Sequence, residues 1–176
     1  PRPQDRDLAL FEAQKLLERN GVTAVGDMDC TIENWMTYRR AGDTGRLQIR
    51  LMSYAASVAD MILIGGTGPT PWLYDDRLRL GGLGELYLDG ALGSRGARLK
   101  APYADDPTNS GNWRITGTQL RNLMSRASMD HGQGAWHAIG DAGNADHAGR
   151  HHHDHVGFPA RHQLDAVFRR HRLELA

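Results

Sequence analysis

Residues 85–95 read ELYLDGALGSR, a short apolar run that passes directly into a glycine-rich segment. The run Glu85–Leu88 predicts a β-strand, and the Asp89-Gly90 pair that follows is a strong signal for the end of a strand. Loop-like sequence, interrupted by prolines, then continues to Ile115. Loops of this length in compact domains are usually either functional or disordered. We therefore expect a strand whose carboxyl end opens into a functional loop.

Three further strands are predicted on either side of this segment, and they alternate with helices. The predicted strands cover residues 22–25, 47–54, 85–88 and 135–139, and the predicted helices cover 7–19, 31–43, 57–64 and 118–130. Strands that alternate with helices indicate βα units and a parallel sheet. The sequence thus predicts the α/β class, with about four βα units forming a partial (β/α)8 TIM barrel.

Length and composition limit the possible functions. The chain has 176 residues, fewer than the about 250 of a typical (β/α)8 barrel, and we expect it to be an internal fragment of one. Its formal net charge is zero, which gives no reason to expect nucleic acid as a partner. No apolar run approaches the roughly 20 residues of a membrane span. Cys30 is the single cysteine, which fits a reducing compartment, and we expect a cytoplasmic protein.

Histidine is distributed unevenly along the chain. All nine histidines lie at or after His131, and seven of them follow Gly140 among many arginines. We therefore divide the chain into residues 1–143, which carry the βα pattern, and a His/Arg-rich divergent tail, residues 144–176. The segment His151–His155 could bind a metal adventitiously. Translation of the tail from another reading frame is a further hypothesis, which the coding DNA would test.

Polar residues stand at the predicted ends of successive strands. In parallel α/β folds, function gathers at the carboxyl ends of the strands, so these residues predict a catalytic face. They are Asp27, Asp29, Tyr54, Asp89, His137 and Asp141.

Three stretches carry a resemblance to a known family. They are GVTAVGDM at 21–28, LYLDGALGSR at 86–95 and HAIGDA at 137–142. In order and approximate spacing they resemble the YtcJ-like metal-dependent amidohydrolases, over about residues 5–144. The resemblance implies a (β/α)8 barrel that binds a divalent metal, zinc first among the candidates. Such a metal activates water to hydrolyse amide-like C–N bonds in a small-molecule substrate.

The resemblance also suggests roles for individual residues. His137 matches a metal-binding histidine of the family, and neutral imidazole is a suitable zinc ligand. Asp89 and Arg95 match a loop beside the substrate pocket, where Arg95 could pair with a substrate carboxylate. Glu85 stands where many relatives carry a metal-bridging lysine, and its carboxylate could replace that ligand.

Three of these residues also have a purely structural interpretation. His137 could be a hydrogen-bonded strand-end residue, Asp89 a turn residue, and Glu85 a solvent-facing residue on an open sheet edge. The upstream His-x-His pair and the late ligands of the family have no match in this chain, and a catalytic zinc needs about three protein ligands. An inactive fragment whose His-rich tail binds metal is therefore the alternative function. Open sheet edges also predict self-association.

Overall fold

The structure of the chain is a computed structural model that describes residues 1–145, apart from the side chain of Glu85. Four helices and four strands alternate within this range. They are α1 (Pro3–Arg19), β1 (Ala24–Cys30), α2 (Ile32–Asp43), β2 (Arg50–Ala55), α3 (Val58–Gly65), β3 (Leu78–Tyr87), α4 (Gly117–Met129) and β4 (Gln133–His137).

The strands form one sheet in the order β1-β2-β3-β4. Each strand pairs in parallel with the strand that precedes it in the sequence. The predicted α/β class with about four βα units is therefore confirmed. Sequential parallel order is also the order found in the wall of a (β/α)8 barrel, and it brings the four carboxyl ends to a single edge of the sheet.

The hydrophobic core lies between the sheet and the helices. Leu78, Leu80 and Leu83 of β3 are fully buried and pack with Trp35 of α2 and Met61 of α3. The alternating leucine and isoleucine residues that predicted β2, at positions 47, 49 and 51, are also buried. The hydrophobic alternation thus identified the buried face of β2 correctly, although the paired strand begins only at Arg50.

β3 is the element whose extent the sequence prediction most underestimated. The prediction began at Glu85, whereas the strand begins at Leu78, because the glycines at 81, 82 and 84 resemble a loop. Tyr54 explains one of these glycines: a Cβ at Gly84 would lie 2.6 Å from the Cβ of Tyr54. The Tyr54 hydroxyl donates a hydrogen bond to Gln133 of β4, at 2.8 Å. The glycine-rich part of β3 therefore leaves room for a side chain that reaches from β2 to β4.

Polar side chains begin three of the helices. Thr31, Ser57 and Thr116 each accept a hydrogen bond from a backbone N–H in the first turn of the helix that follows. These bonds satisfy donors that have no partner inside a helix. The predicted starts of α2, α3 and α4 lie within one residue of the observed ones, and for α2 the capping residue itself, Thr31, was predicted.

No helix within residues 1–145 is long and apolar enough to cross a membrane. The His/Arg-rich tail, including the segment His151–His155, lies outside the described residues from position 146 onward. The division of the chain at residue 143 stays a prediction.

Leucine truncation tests the core described above. Leu80→Ala removes a fully buried side chain from the middle of β3, and we expect it to lower the free energy of unfolding by about 2–5 kcal/mol. Urea denaturation followed by circular dichroism measures this change. The control is Leu63→Ala in α3, where the side chain is 68% exposed, and a similar loss in both variants would contradict the assigned core.

Candidate functional site at the strand ends

A buried carboxylate helps to hold the loop between β3 and α4 against the end of β4. Asp89 is fully buried. Its Oδ2 accepts hydrogen bonds from the backbone N–H groups of Arg98 (2.8 Å) and Gly140 (2.7 Å), and its Oδ1 accepts one from Ile139 (2.9 Å). The side chain thus joins the end of β3 to the loop and to the segment after β4. This geometry supports the structural interpretation of Asp89, and its predicted contact with substrate stays a prediction.

A second set of hydrogen bonds folds this loop, residues 88–116, back on itself. The hydroxyl of Tyr103 donates to the carbonyl oxygen of Ala97 at 2.9 Å, and the guanidinium of Arg98 donates to the hydroxyl of Ser110. Gly111 has φ +79°, and a Cβ there would lie 1.9 Å from the carbonyl oxygen of Ala97. Only glycine therefore permits this close approach of the two halves of the loop.

Arg95 lies on the exposed part of the same loop, and its charge is already paired. Its guanidinium lies 2.9 Å from a carboxylate oxygen of Asp105. The hydrogen bond from Arg95 holds the pKa of the Asp105 carboxyl below its usual value. A substrate carboxylate would have to compete with Asp105 for this cation. The predicted substrate-binding role of Arg95 stays a prediction.

His137 is the last residue of β4, and its side chain is exposed at the carboxyl end of the sheet. Its imidazole stacks on the ring of Tyr87, the last residue of β3, with the ring centroids 4.5 Å apart and an angle of 12° between the planes. The two residues are partners in the β3–β4 register. The stack restricts the orientation of the imidazole. Sequence reasoning missed Tyr87 because only the strand pairing brings it beside His137.

The guanidinium of Arg114 lies over the ring of Tyr87, the residue on which His137 stacks. Its Cζ is 5.8 Å from the centroid of the Tyr87 ring. The backbone N–H of Arg114 donates to the carbonyl oxygen of Leu88 at 2.9 Å. An isolated antiparallel bridge joins Asp89 and Trp113 directly beside it. The end of the long loop thus places a cation next to the strand ends, and the sequence analysis did not predict it.

The other predicted strand-end residues make separate contacts. Asp27 lies inside β1, which extends to Cys30, so its assignment to the end of the strand was wrong, whereas Asp29 is the next-to-last residue of that strand. The Asp27 carboxylate accepts a hydrogen bond from the hydroxyl of Tyr38 at 2.7 Å. The carboxylate of Asp141 accepts a backbone hydrogen bond from Lys100 at 3.0 Å. These contacts tie β1 to α2 and the long loop to the segment after β4.

The described residues do not by themselves complete a metal site. Within residues 1–145, leaving aside the undescribed side chain of Glu85, no three His, Cys, Asp or Glu side chains are grouped to hold a metal ion. Glu85 belongs to β3, two residues before Tyr87. A catalytic zinc takes about three protein ligands, so His137 would need partners beyond the described side chains. The ligand roles of His137 and Glu85 stay predictions.

Comparison with known proteins supports the resemblance seen in the sequence. No protein-family model matches the chain. The putative amidohydrolase YtcJ of Bacillus subtilis (strain 168) is 42% identical over 57 residues, which are 32% of this chain and 11% of that protein. The similarity of the chain to the YtcJ-like amidohydrolases is thus confirmed over the matched part.

Two solved structures share the fold of the chain. They are uncharacterized metal-dependent hydrolases from Pyrococcus horikoshii OT3 and Pyrococcus furiosus, each 27% identical with a TM-score of 0.78. Each match covers 87% of this chain, but only 31% and 32% of the two Pyrococcus chains. The chain therefore spans about a third of the length of these hydrolases.

Replacement of Asp89 tests the role of its carboxylate. Asp89→Asn keeps the shape of the side chain but replaces one of the two accepting oxygens by an NH2 group. Because an NH2 group cannot accept a hydrogen bond, at least one buried backbone N–H loses its partner. We expect the free energy of unfolding to fall by at least about 3 kcal/mol. We also expect faster hydrogen exchange at the amide of Gly140. The control is Asp105→Asn on the exposed part of the loop, and equal effects of the two changes would contradict the assignment.

The environment of Cys30 leads to a separate prediction. Burial, with the charge of Asp27 as the next cause, raises the pKa of the Cys30 thiol to about 12. At pH 8 only about one thiol in ten thousand would be ionised, against roughly a quarter in an unfolded chain. We expect Ellman's reagent to react with the native protein about a thousandfold more slowly than with the protein in urea. Equal rates in both conditions would show that Cys30 is accessible.

Proposed function

We propose that the chain is part of a metal-dependent amidohydrolase that cleaves amide-like C–N bonds of small molecules, with zinc as its metal. The observation that carries this proposal is the exposed histidine His137 at the carboxyl end of β4. In the sequence it belongs to the HAIGDA stretch that resembles the family, and the structure places it beside the loop anchored by Asp89. Carboxyl ends of parallel strands are where enzymes of this architecture place their reactive groups.

His137 and Glu85 would act as metal ligands in this function. Neutral imidazole suits zinc, and in such hydrolases the metal supplies an activated water molecule. His137 would contribute one ligand, and Glu85 a second through its carboxylate. The remaining ligands would come from residues beyond those described, because a lone histidine and one carboxylate do not make a catalytic site.

The second candidate function is an inactive chain whose histidine-rich tail binds metal. The absence of a three-ligand cluster among the described side chains favours it, as does the concentration of seven histidines after Gly140. The two candidates differ in where a metal binds first, at the end of β4 or in the tail. Self-association through β1 and β4, the outer strands of the described sheet, is compatible with either.

Cobalt titration followed by NMR separates the two functions. We expect Co²⁺ to broaden first the signals of Tyr87 and Ile139, which neighbour His137, in a variant whose seven histidines after Gly140 are replaced by asparagine. The paramagnetic ion reports even weak binding, which suits a site with two protein ligands. His137→Ala in the same background should abolish this broadening.

His131→Ala is the matched control, because His131 is exposed like His137 but lies at the opposite end of β4. It should leave the broadening around His137 unchanged. If Co²⁺ affects only tail signals in the unmodified chain, and nothing near His137 once the tail histidines are removed, the second function is correct.

A further inference from the structure

The strand ends carry a group of exposed apolar side chains around the Tyr87–His137 stack. Large apolar residues exposed at one place on a protein surface often mark a binding site. The residues of this group are 37–43% exposed, and its members are Tyr87, Trp113 and Ile139. Backbone contacts converge here, since Asp89 bridges to Trp113 and accepts a hydrogen bond from Ile139. The apolar patch therefore belongs to the same anchored unit as His137.

Arg114 adds a positive charge to this patch. Within residues 1–145, leaving aside the undescribed side chain of Glu85, no carboxylate oxygen lies within 4.0 Å of its guanidinium, whereas Arg95 on the same loop is paired with Asp105 at 2.9 Å. Arg114 instead lies over the ring of Tyr87, on which His137 stacks. The guanidinium is a planar group with several donors, suited to binding a carboxylate through two hydrogen bonds.

We propose that Arg114 binds the carboxylate of the substrate, while Tyr87 and Trp113 contact its apolar part. This inference rests on the proposed amidohydrolase function and narrows its substrate class to amides that also carry a carboxylate, such as N-acyl amino acids with an apolar side chain. A charged group lies over the ring of Tyr87, on which His137 stacks. This arrangement matches a ligand with one anion, one apolar group and one amide. In this proposal the substrate carboxylate binds Arg114 rather than Arg95.

The position of Arg114 supports this assignment over a purely structural one. An arginine needed for folding would be expected to bond carboxylates or carbonyl oxygens, as Arg40 does with Asp7 at 2.7 Å. The backbone of Arg114 is fixed by its bond to Leu88, while its charged group lies on the exposed side of the loop. A fixed backbone with an exposed charge limits the entropy lost when an anion binds.

An NMR titration of the full chain tests this site without a metal. N-acetylphenylalanine is the probe, N-acetylphenylalaninamide is its uncharged counterpart, and EDTA is present throughout. We expect saturable shifts of the Trp113 indole N–H and the His137 ring with the acid and none with the amide. Arg114→Gln should weaken binding by about tenfold or more, since it removes a charge-assisted pair. Arg95→Gln is the matched control and should bind as the unmodified chain does.

Three results would overturn the inference: no binding of the acid, equal binding of the amide, or affinity in Arg114→Gln equal to that of the unmodified chain. Spectra without ligand check that both variants are folded. If Arg114→Gln is not folded, Arg114→Lys replaces it, and weaker binding of at least about threefold is expected because the second hydrogen bond is lost. Since EDTA removes any metal, a negative result here leaves the cobalt experiment at His137 as a separate test of the amidohydrolase function.

Discussion

The strand-end region depends on the carboxylate of Asp89. Three backbone N–H groups from two separate segments converge on this one buried side chain. Hydrogen bonds to an ionised acceptor are stronger than neutral ones, and the cost of burying the charge is offset only if all of these donors are present. The loop 88–116 and the segment after His137 therefore hold their positions together. The loop becomes a defined surface because the Asp89 side chain fixes its first part at Arg98, while backbone pairing of Asp89 with Trp113 fixes its last part.

The consequence of this anchor is a particular distribution of charge and apolar surface. The fold sets Tyr87 against His137 through the β3–β4 register, and the returning end of the loop brings Arg114 over the same ring. On the outer part of the loop, Arg95 is paired with Asp105. Arg95 and Arg114 belong to the same loop, but Arg95 is paired with a carboxylate whereas Arg114 lies over an aromatic ring. Their positions in the sequence do not show this difference.

The structural similarity of this chain to the two metal-dependent hydrolases covers only part of their length. The similarity to the two Pyrococcus structures covers most of this chain but about a third of theirs. Among the described side chains, the strand ends offer His137 but no group of three His, Cys, Asp or Glu residues that could hold a metal ion. The described strand ends do provide a surface on which Tyr87, His137 and Arg114 are positioned together.

The sequence by itself determined the α/β class, the alternation of four strands with four helices, and the starts of α2, α3 and α4, because hydrophobic periodicity and capping residues are local signals. It also identified Asp89 and His137 as residues of one face. Only the tertiary structure decided that the Asp89 carboxylate accepts three backbone hydrogen bonds, that Tyr87 stacks on His137 and that Arg114 lies over the Tyr87 ring. Apart from the bond between Asp89 and Arg98, those contacts join residues 27 to 51 positions apart. They depend on strand register and loop closure, which no local pattern encodes.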